Sequence, residues 1–213
     1  MTKHLESCIR ERAYSRAQVP VDGGTRKFKV YHLRVEGHGL PEYWIHLQVR
    51  ADATLEELDQ FLRGVWLECC GHLSAFTIHG ERYASDPIED LDEEGMEVPI
   101  GKVLSPGVRF LHEYDYGTTT ELILRVISEY EARVKTEDEA VQLLARNEPP
   151  PLTCHVCGRP ATLVCTQCID MDEGWLCDEC ASDHECGEEM LLPVVNSPRV
   201  GMCGYTGDPD ILI

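Results

Sequence analysis

The chain has 213 residues, with 19 Lys and Arg against 38 Asp and Glu, a formal charge of −19, 11 cysteines and 43% hydrophobic residues. That length suits one domain or two small ones, and the apolar content excludes global disorder. The acidity argues against naked DNA or RNA and against anionic membrane surfaces, because both need a basic footprint. No apolar run approaches the ~18 residues of a membrane span. The opening segment, MTKHLESCIRERAYSR, is charged and has no apolar h-region, so a cytoplasmic protein is expected. In that reducing compartment, cysteines at this density point to metal or thiol chemistry rather than disulfides.

In chain order, residues 1–24 form a polar leader that includes Cys8 and ends in Asp22-Gly23-Gly24. Residues 27–50 carry two period-two patterns. Tyr31, Leu33 and Val35 alternate with His32, Arg34 and Glu36, and Ile45, Leu47 and Val49 alternate with His46, Gln48 and Arg50. This predicts a hairpin with one buried and one wet face, turning at Gly37–Pro41. Residues 54–68 read as a helix: Thr54 and Glu57 have capping-box spacing, and Leu55, Leu58, Phe61, Leu62, Val65 and Trp66 form one stripe. Cys69 and Cys70 follow it and read as small buried hydrophobes. A strand at 75–79 comes next, then a long acidic loop over 85–107. A second hairpin pairs 109–114 with 120–130 around Asp115-Tyr116-Gly117. Over 136–146, Thr136 and Glu139 favour a capped helix, although Ala140–Leu144 would also serve as a strand. The expected fold is α+β: a helix on a mostly antiparallel, β-grasp-like sheet over residues 25–146. Asn147–Pro151, with three consecutive prolines, reads as a stiff linker to a final module over 152–213.

That module contains Cys154-x2-Cys157, Cys165-x2-Cys168, Cys177-x2-Cys180 and His184-x-Cys186, with Cys203 further on. A Cys-x2-Cys turn brings two sulfurs to one point, and zinc takes four such ligands tetrahedrally. Two zinc ions need eight ligands. The interleaved wiring gives Cys154, Cys157, Cys177 and Cys180 to one ion and Cys165, Cys168 and His184 to the other. Sequential wiring, with pairs one and two on one ion, is the alternative. The eighth ligand is either Cys186 or Cys203. In a helix, His184 and Cys186 would point apart, whereas the glycines flanking Cys203 suit a sulfur-ligating turn, which favours Cys203. The interleaved form resembles, in spacing, the cross-brace fingers of MYND, HIT and B-box proteins. With ligands in surplus, both sites can close, so the expected role of the zinc is structural. From Pro149 onward there are eleven acidic residues and only Arg159 and Arg199 as cations, which points to a protein partner rather than nucleic acid.

Several stretches carry a family resemblance: Tyr31–Val35, Pro41–Ile45, Thr54–Leu58, His72–Ile78 with Gly80 and Tyr83, and Tyr114–Gly117. On these residues the region 27–130 resembles the plasmid open-reading-frame-three-like family, also known as the insertion-element passenger TnpR family. The resemblance implies a compact α+β domain and a link to mobile elements, but no reaction. Family members continue the Tyr-Asp-Phe-Gly motif with an Asp, a Trp and a His. Thr118, Thr120 and Leu122 stand at those positions here, which puts a site built on them in doubt. Sequences of this kind with a cysteine-rich tail also carry the phrases found here at Leu143–Pro150 and Asn196–Tyr205, which implies that domain and tail form one unit. The proline-bounded stretch Pro193–Pro198 could dock back on the domain.

The leading functional expectation is a non-enzymatic, zinc-binding accessory or protein-interaction protein with no catalytic residues of its own. One alternative is an enzyme with a cleft near His72 and Asp115. The other is a nucleic-acid-binding regulator. Nothing in the sequence sets the oligomeric state.

Overall fold

The computed structural model describes residues 25–135, 139–171 and 173–207. The leader with Cys8, and Thr136 of the cap expected at 136–146, lie outside the described residues. Strands β1 (Thr25–Gly37) and β2 (Leu40–Arg50) form the expected hairpin, pairing Tyr31 with Val49 and Leu33 with Leu47. Helix α1 (Leu55–Leu62) follows. Next come β3 (Ser74–Ile78), β4 (Glu81–Ala84), β5 (Glu93–Gly95), the short α2 (Ile100–Val103), β6 (Arg109–Tyr114), β7 (Thr120–Lys135) and β8 (Val141–Arg146). The protein is α+β. The eight strands form one sheet in the order β5-β4-β3-β6-β7-β1-β2-β8, antiparallel throughout except for the parallel β4–β5 pair. No helix among the described residues is long and apolar enough to cross a membrane.

The capping box at Thr54 is present. Its Oγ1 accepts from the Glu57 amide at 3.1 Å, and Glu57 Oε2 accepts from the Thr54 amide at 2.8 Å. Leu55, Leu58 and Leu62 then bury against Tyr31, Leu33, Ile45 and Leu47. The helix does not run regularly to residue 68. It widens into a π turn over Arg63–Leu67, where Glu68 N bonds to Arg63 O. Val65, Trp66 and Leu67 are consecutive, and all three are buried. An α-helical turn lying against a sheet would point one of the three outward. Here the C-terminal segment covers the other side: the Trp66 indole donates to Asn196 O, and Ser197 Oγ donates to Trp66 O.

Three expectations need correction. The stretch 85–107 is not one long loop. Met96, Ile100 and Leu104 are buried, and the segment hydrogen-bonds across the start of α1 through Leu55 N to Val98 O and Ile100 N to Ala53 O. Residues 141–146 form strand β8 on the edge of β2, not a helix. The open edge of β2 supplies backbone partners, such as the register Leu47 to Leu143, that outweigh local helix propensity. Finally, the outer face of the β1–β2 hairpin is not uniformly wet. His32 and His46 are buried there and share a 2.7 Å Nε2–Nδ1 contact, with the Trp44 ring edge-on to His46.

That histidine pair makes stability depend on pH. Burial, reinforced by His32 and Arg34, lowers the His46 pKa to about 4. The unfolded chain, with an ordinary imidazole near 6.5, takes up a proton that the fold refuses. The contribution is complete above pH 6.5 and is lost as pH falls toward 4. It is worth up to about 3 kcal/mol, at ~1.4 kcal/mol for each unit of pKa difference. Urea midpoints measured between pH 7 and 4.5 should fall more steeply for the wild type than for His46→Phe. Parallel slopes would show that His46 titrates normally.

The C-terminal region forms a second, three-stranded sheet, with β9 (Leu163–Cys165) between β10 (Trp175–Leu176) and β11 (Leu191–Pro193), together with helix α3 (Asp178–Ser182). Its side chains join the main core: Val164 and Val200 are buried within it, and Ile169, Trp175, Leu192 and Val195 pack against it. The two sequence phrases meet in space. Asn147 Nδ2 donates to Asn196 Oδ1 at 2.8 Å, Asn196 Nδ2 donates to Asn147 O at 3.0 Å, and Arg146 donates to Asn196 O at 2.9 Å. The Pro193–Pro198 stretch lies on the first domain, where a Cβ at position 37 would come within 3.0 Å of the Pro198 ring and 3.1 Å of Leu40, a tight fit beside Gly37.

Candidate metal centres

The first centre is built from a tight loop and a short helix. Cys154 N donates to Arg159 O and Gly158 N to Cys154 O, with Gly158 in the left-handed region at φ 72°. This folds Cys154 and Cys157 toward one point. Cys177 is the N-cap of α3 and Cys180 lies within it, three residues on, so both face the same way. The four sulfurs lie within 4.8 Å of one another, with Cys157 and Cys177 3.6 Å apart. A tetrahedron with metal–sulfur bonds of roughly 2.3 Å has sulfur–sulfur edges of about 3.8 Å.

The second centre gathers Cys165 and Cys168, on the turn leaving β9, with His184 and Cys186. Cys168 Sγ is 3.6 Å from both His184 Nε2 and Cys186 Sγ. Helix α3 ends at Ser182, and His184–Gly187 is a turn closed by Gly187 N to His184 O. Helical geometry would have turned Cys186 away from His184, but it does not extend that far. The expectation that Cys203 completes this set is therefore corrected. Cys203 sits in another cluster, 3.8 Å from Cys70 Sγ. The two four-residue groups interleave along the chain rather than following one another.

Clustered thiols titrate against each other. The Arg159 guanidinium, donating to Cys157, lowers that thiol to about 6, while its nearest sulfur neighbours push Cys180 up to about 12. Burial works against ionisation of Cys165, but the Gln167 amide and the His184 ring bring it down to about 7; Cys186, next to it, holds Cys168 at about 12. A cation centred among these sulfurs would let all of them ionise together. Each set could therefore hold a thiophilic metal. The loop carboxylates Glu81, Asp86, Glu89 and Asp90 form no such group among the described residues.

A model of the plasmid pRiA4b ORF-3-like proteins matches residues 29–163. The chain belongs to this family. The match runs past β7 and β8 and takes in the first cysteine pair, further than the resemblance over 27–130. No curated protein matches this plasmid ORF-3-like chain. Among solved structures it is similar to a protein of unknown function from Methanosarcina mazei Go1, at 20% identity and a TM-score of 0.46, over 56% of this chain and 69% of that one.

The structure brings His72 and Asp115 together, with Nε2 3.4 Å from Oδ2. Asp115 is nevertheless fully engaged. Its Oδ1 accepts from the amides of Gly117 and Thr118, and its Oδ2 accepts from the buried Arg199 at 2.7 Å. Burial raises the Asp115 pKa, but Arg199 and these amides outweigh it and hold the carboxyl below its usual range. Arg199, read from sequence only as one of two basic residues in the module, is the largest polar side chain in the interior. Its signal is its place in the Asn-Ser-Pro-Arg phrase.

Proposed function

We propose that this plasmid ORF-3-like protein is a zinc-binding accessory protein whose C-terminal module carries two structural zinc ions and presents an acidic surface to a protein partner. The observation that carries the reading is closure. Each module centre assembles four protein ligand atoms within 4.8 Å, which fills a tetrahedron and leaves no position for a reacting water. Cys₄ and Cys₃His sets of this kind suit zinc over harder cations.

The surface supports the partner class. Of the module's two cations, Arg199 is buried, and Arg159 is held by the Glu179 carboxylate at 2.6 and 2.9 Å. Asp170, Glu173, Asp178, Asp183, Glu185 and Glu188 are exposed, and so are Val156 and Met171, at 62% and 63%. Such a face suits a protein segment that combines basic and apolar side chains, and it repels phosphate backbones.

Cobalt substitution tests the closure. Both module sites should give the intense d–d bands of tetrahedral, thiolate-rich cobalt, with no shift on adding azide or cyanide. A band shift with exogenous anion would reveal an open coordination position and favour an enzyme. Full-length zinc-loaded and zinc-stripped protein, used in parallel for affinity capture, should retain the partner only when loaded.

A further inference from the structure

We propose that Cys69, Cys70, His72 and Cys203 form a third metal site, which takes a divalent cation of the zinc class and latches the C-terminal turn to the first domain. The four ligand atoms lie within 4.8 Å of one another. Cys69 and Cys70 Sγ are 3.5 Å apart, Cys70 and Cys203 Sγ are 3.8 Å apart, and His72 Nε2 lies 2.9 Å from Cys70 and 3.2 Å from Cys203. Those sulfur separations match the ~3.8 Å edge of a tetrahedral zinc site.

Both sides of the site are shaped for this. The loop that carries the first three ligands wraps the Tyr114 hydroxyl, which accepts from the amides of Cys69 and His72 and donates to Glu68 Oε1. Glu68 Oε1 also accepts from Gly71 N at 2.6 Å, and Gly71 turns the chain at φ 76°. In this way two adjacent cysteines and a histidine come to face one point. Opposite them, Cys203 itself adopts φ 47°, between Gly201 at 79° and Gly204 at 71°. A left-handed backbone is strained for a non-glycine residue, and a bond from its sulfur to a metal offsets that strain.

The same atoms exclude a Cys–His–Asp relay. A catalytic imidazole divides its partners between its two nitrogens. Here Cys70, Cys203 and Asp115 all approach Nε2, so no relay runs through the ring, and the convergence of two thiols on one nitrogen suits a shared metal. Three thiolates, a neutral imidazole and a divalent cation sum to one negative charge, and Arg199 Nη2, 3.5 Å from Cys69 Sγ, donates toward it. The site differs from the two module centres in reach and access. It ties residues 133 positions apart, and both Cys70 and Cys203 are exposed, so its metal exchanges with solvent more readily.

Native mass spectrometry of the reduced, zinc-reconstituted full chain is the test. Cys203→Ser and Cys70→Ser should each hold one zinc fewer than the wild type. An unchanged count in both variants overturns the proposal. The reading is a difference, so it stands whether or not the module centres bind zinc. A second measurement uses the unaltered chain. Iodoacetamide labelling of Cys70 and Cys203 should be at least tenfold slower with zinc than after chelation, and equal rates overturn the proposal.

Discussion

Replacing Arg199 with Met is expected to lower the unfolding temperature by about 10 °C, the equivalent of ~3–5 kcal/mol in a chain of this size. The guanidinium is fully buried and every one of its contacts crosses from the tail to the first domain. Nη1 donates to Thr118 O at 3.0 Å and Thr120 Oγ1 at 2.9 Å, Nη2 donates to Asp115 at 2.7 Å, and the group lies 4.8 Å from the Tyr114 ring centre. Methionine fills much of the same volume but leaves Asp115, itself 5% exposed, as a carboxylate without a cation. Most of the loss is the cost of that stranded charge rather than the intrinsic worth of the pair. Asp115→Asn in the Arg199→Met background should therefore recover part of the stability, since it removes the charge. A double variant as unstable as the sum of the two single ones would mean that Arg199 acts through its other contacts, Thr118, Thr120, Tyr114 and Cys69, and not through Asp115.

The residues that could be read from sequence are those whose partners are near in the chain or fixed by period. The β1–β2 register, the Thr54–Glu57 box and the Cys-x2-Cys turns all belong to this class. What stayed hidden depends on distant surfaces. Residues 141–146 form a strand because β2 offers a free edge, and Met96, Ile100 and Leu104 are core because α1 lies beneath them. Cys69 and Cys70 look like the apolar end of a helical stripe. Their placement beside Cys203 depends on the tail crossing back over Trp66, which no local pattern encodes. Ligand counting held a clue. Once Cys186 joins the second module set, four of the eleven cysteines are left over, Cys8, Cys69, Cys70 and Cys203, and the last three gather with His72 into a third candidate set.

Stripping the metal is expected to unfold residues 152–193 while the large sheet stands. Apart from Val164, Ile169, Trp175 and Leu192 on the main core, the module has little else to hold it: its own buried cluster is Cys154, Cys165, Leu176, Cys177 and Ala181, so most of that cluster consists of the candidate ligands. Its strands are two or three residues long and α3 has five, far below what is stable without tertiary support. Structural zinc contributes an apparent ~10–16 kcal/mol in small modules near neutral pH, and that is folding energy. In hydrogen exchange on the chelated, reduced protein, the amides of Cys154, Cys165, Thr166 and Ala181 should lose protection by orders of magnitude, while those of β1, β2 and β7 keep theirs. The segment from Asn196 to Val200 should stay protected longer, because Trp66 and Asp115 of the first domain, with Asn147 just beyond it, hold it independently of the module sulfurs. Adding zinc should restore the pattern and magnesium should not, since thiolates bind the softer ion. Unaltered exchange at Cys165 and Thr166 after complete metal removal would show that packing against Val164 and Trp175 suffices to fold the module.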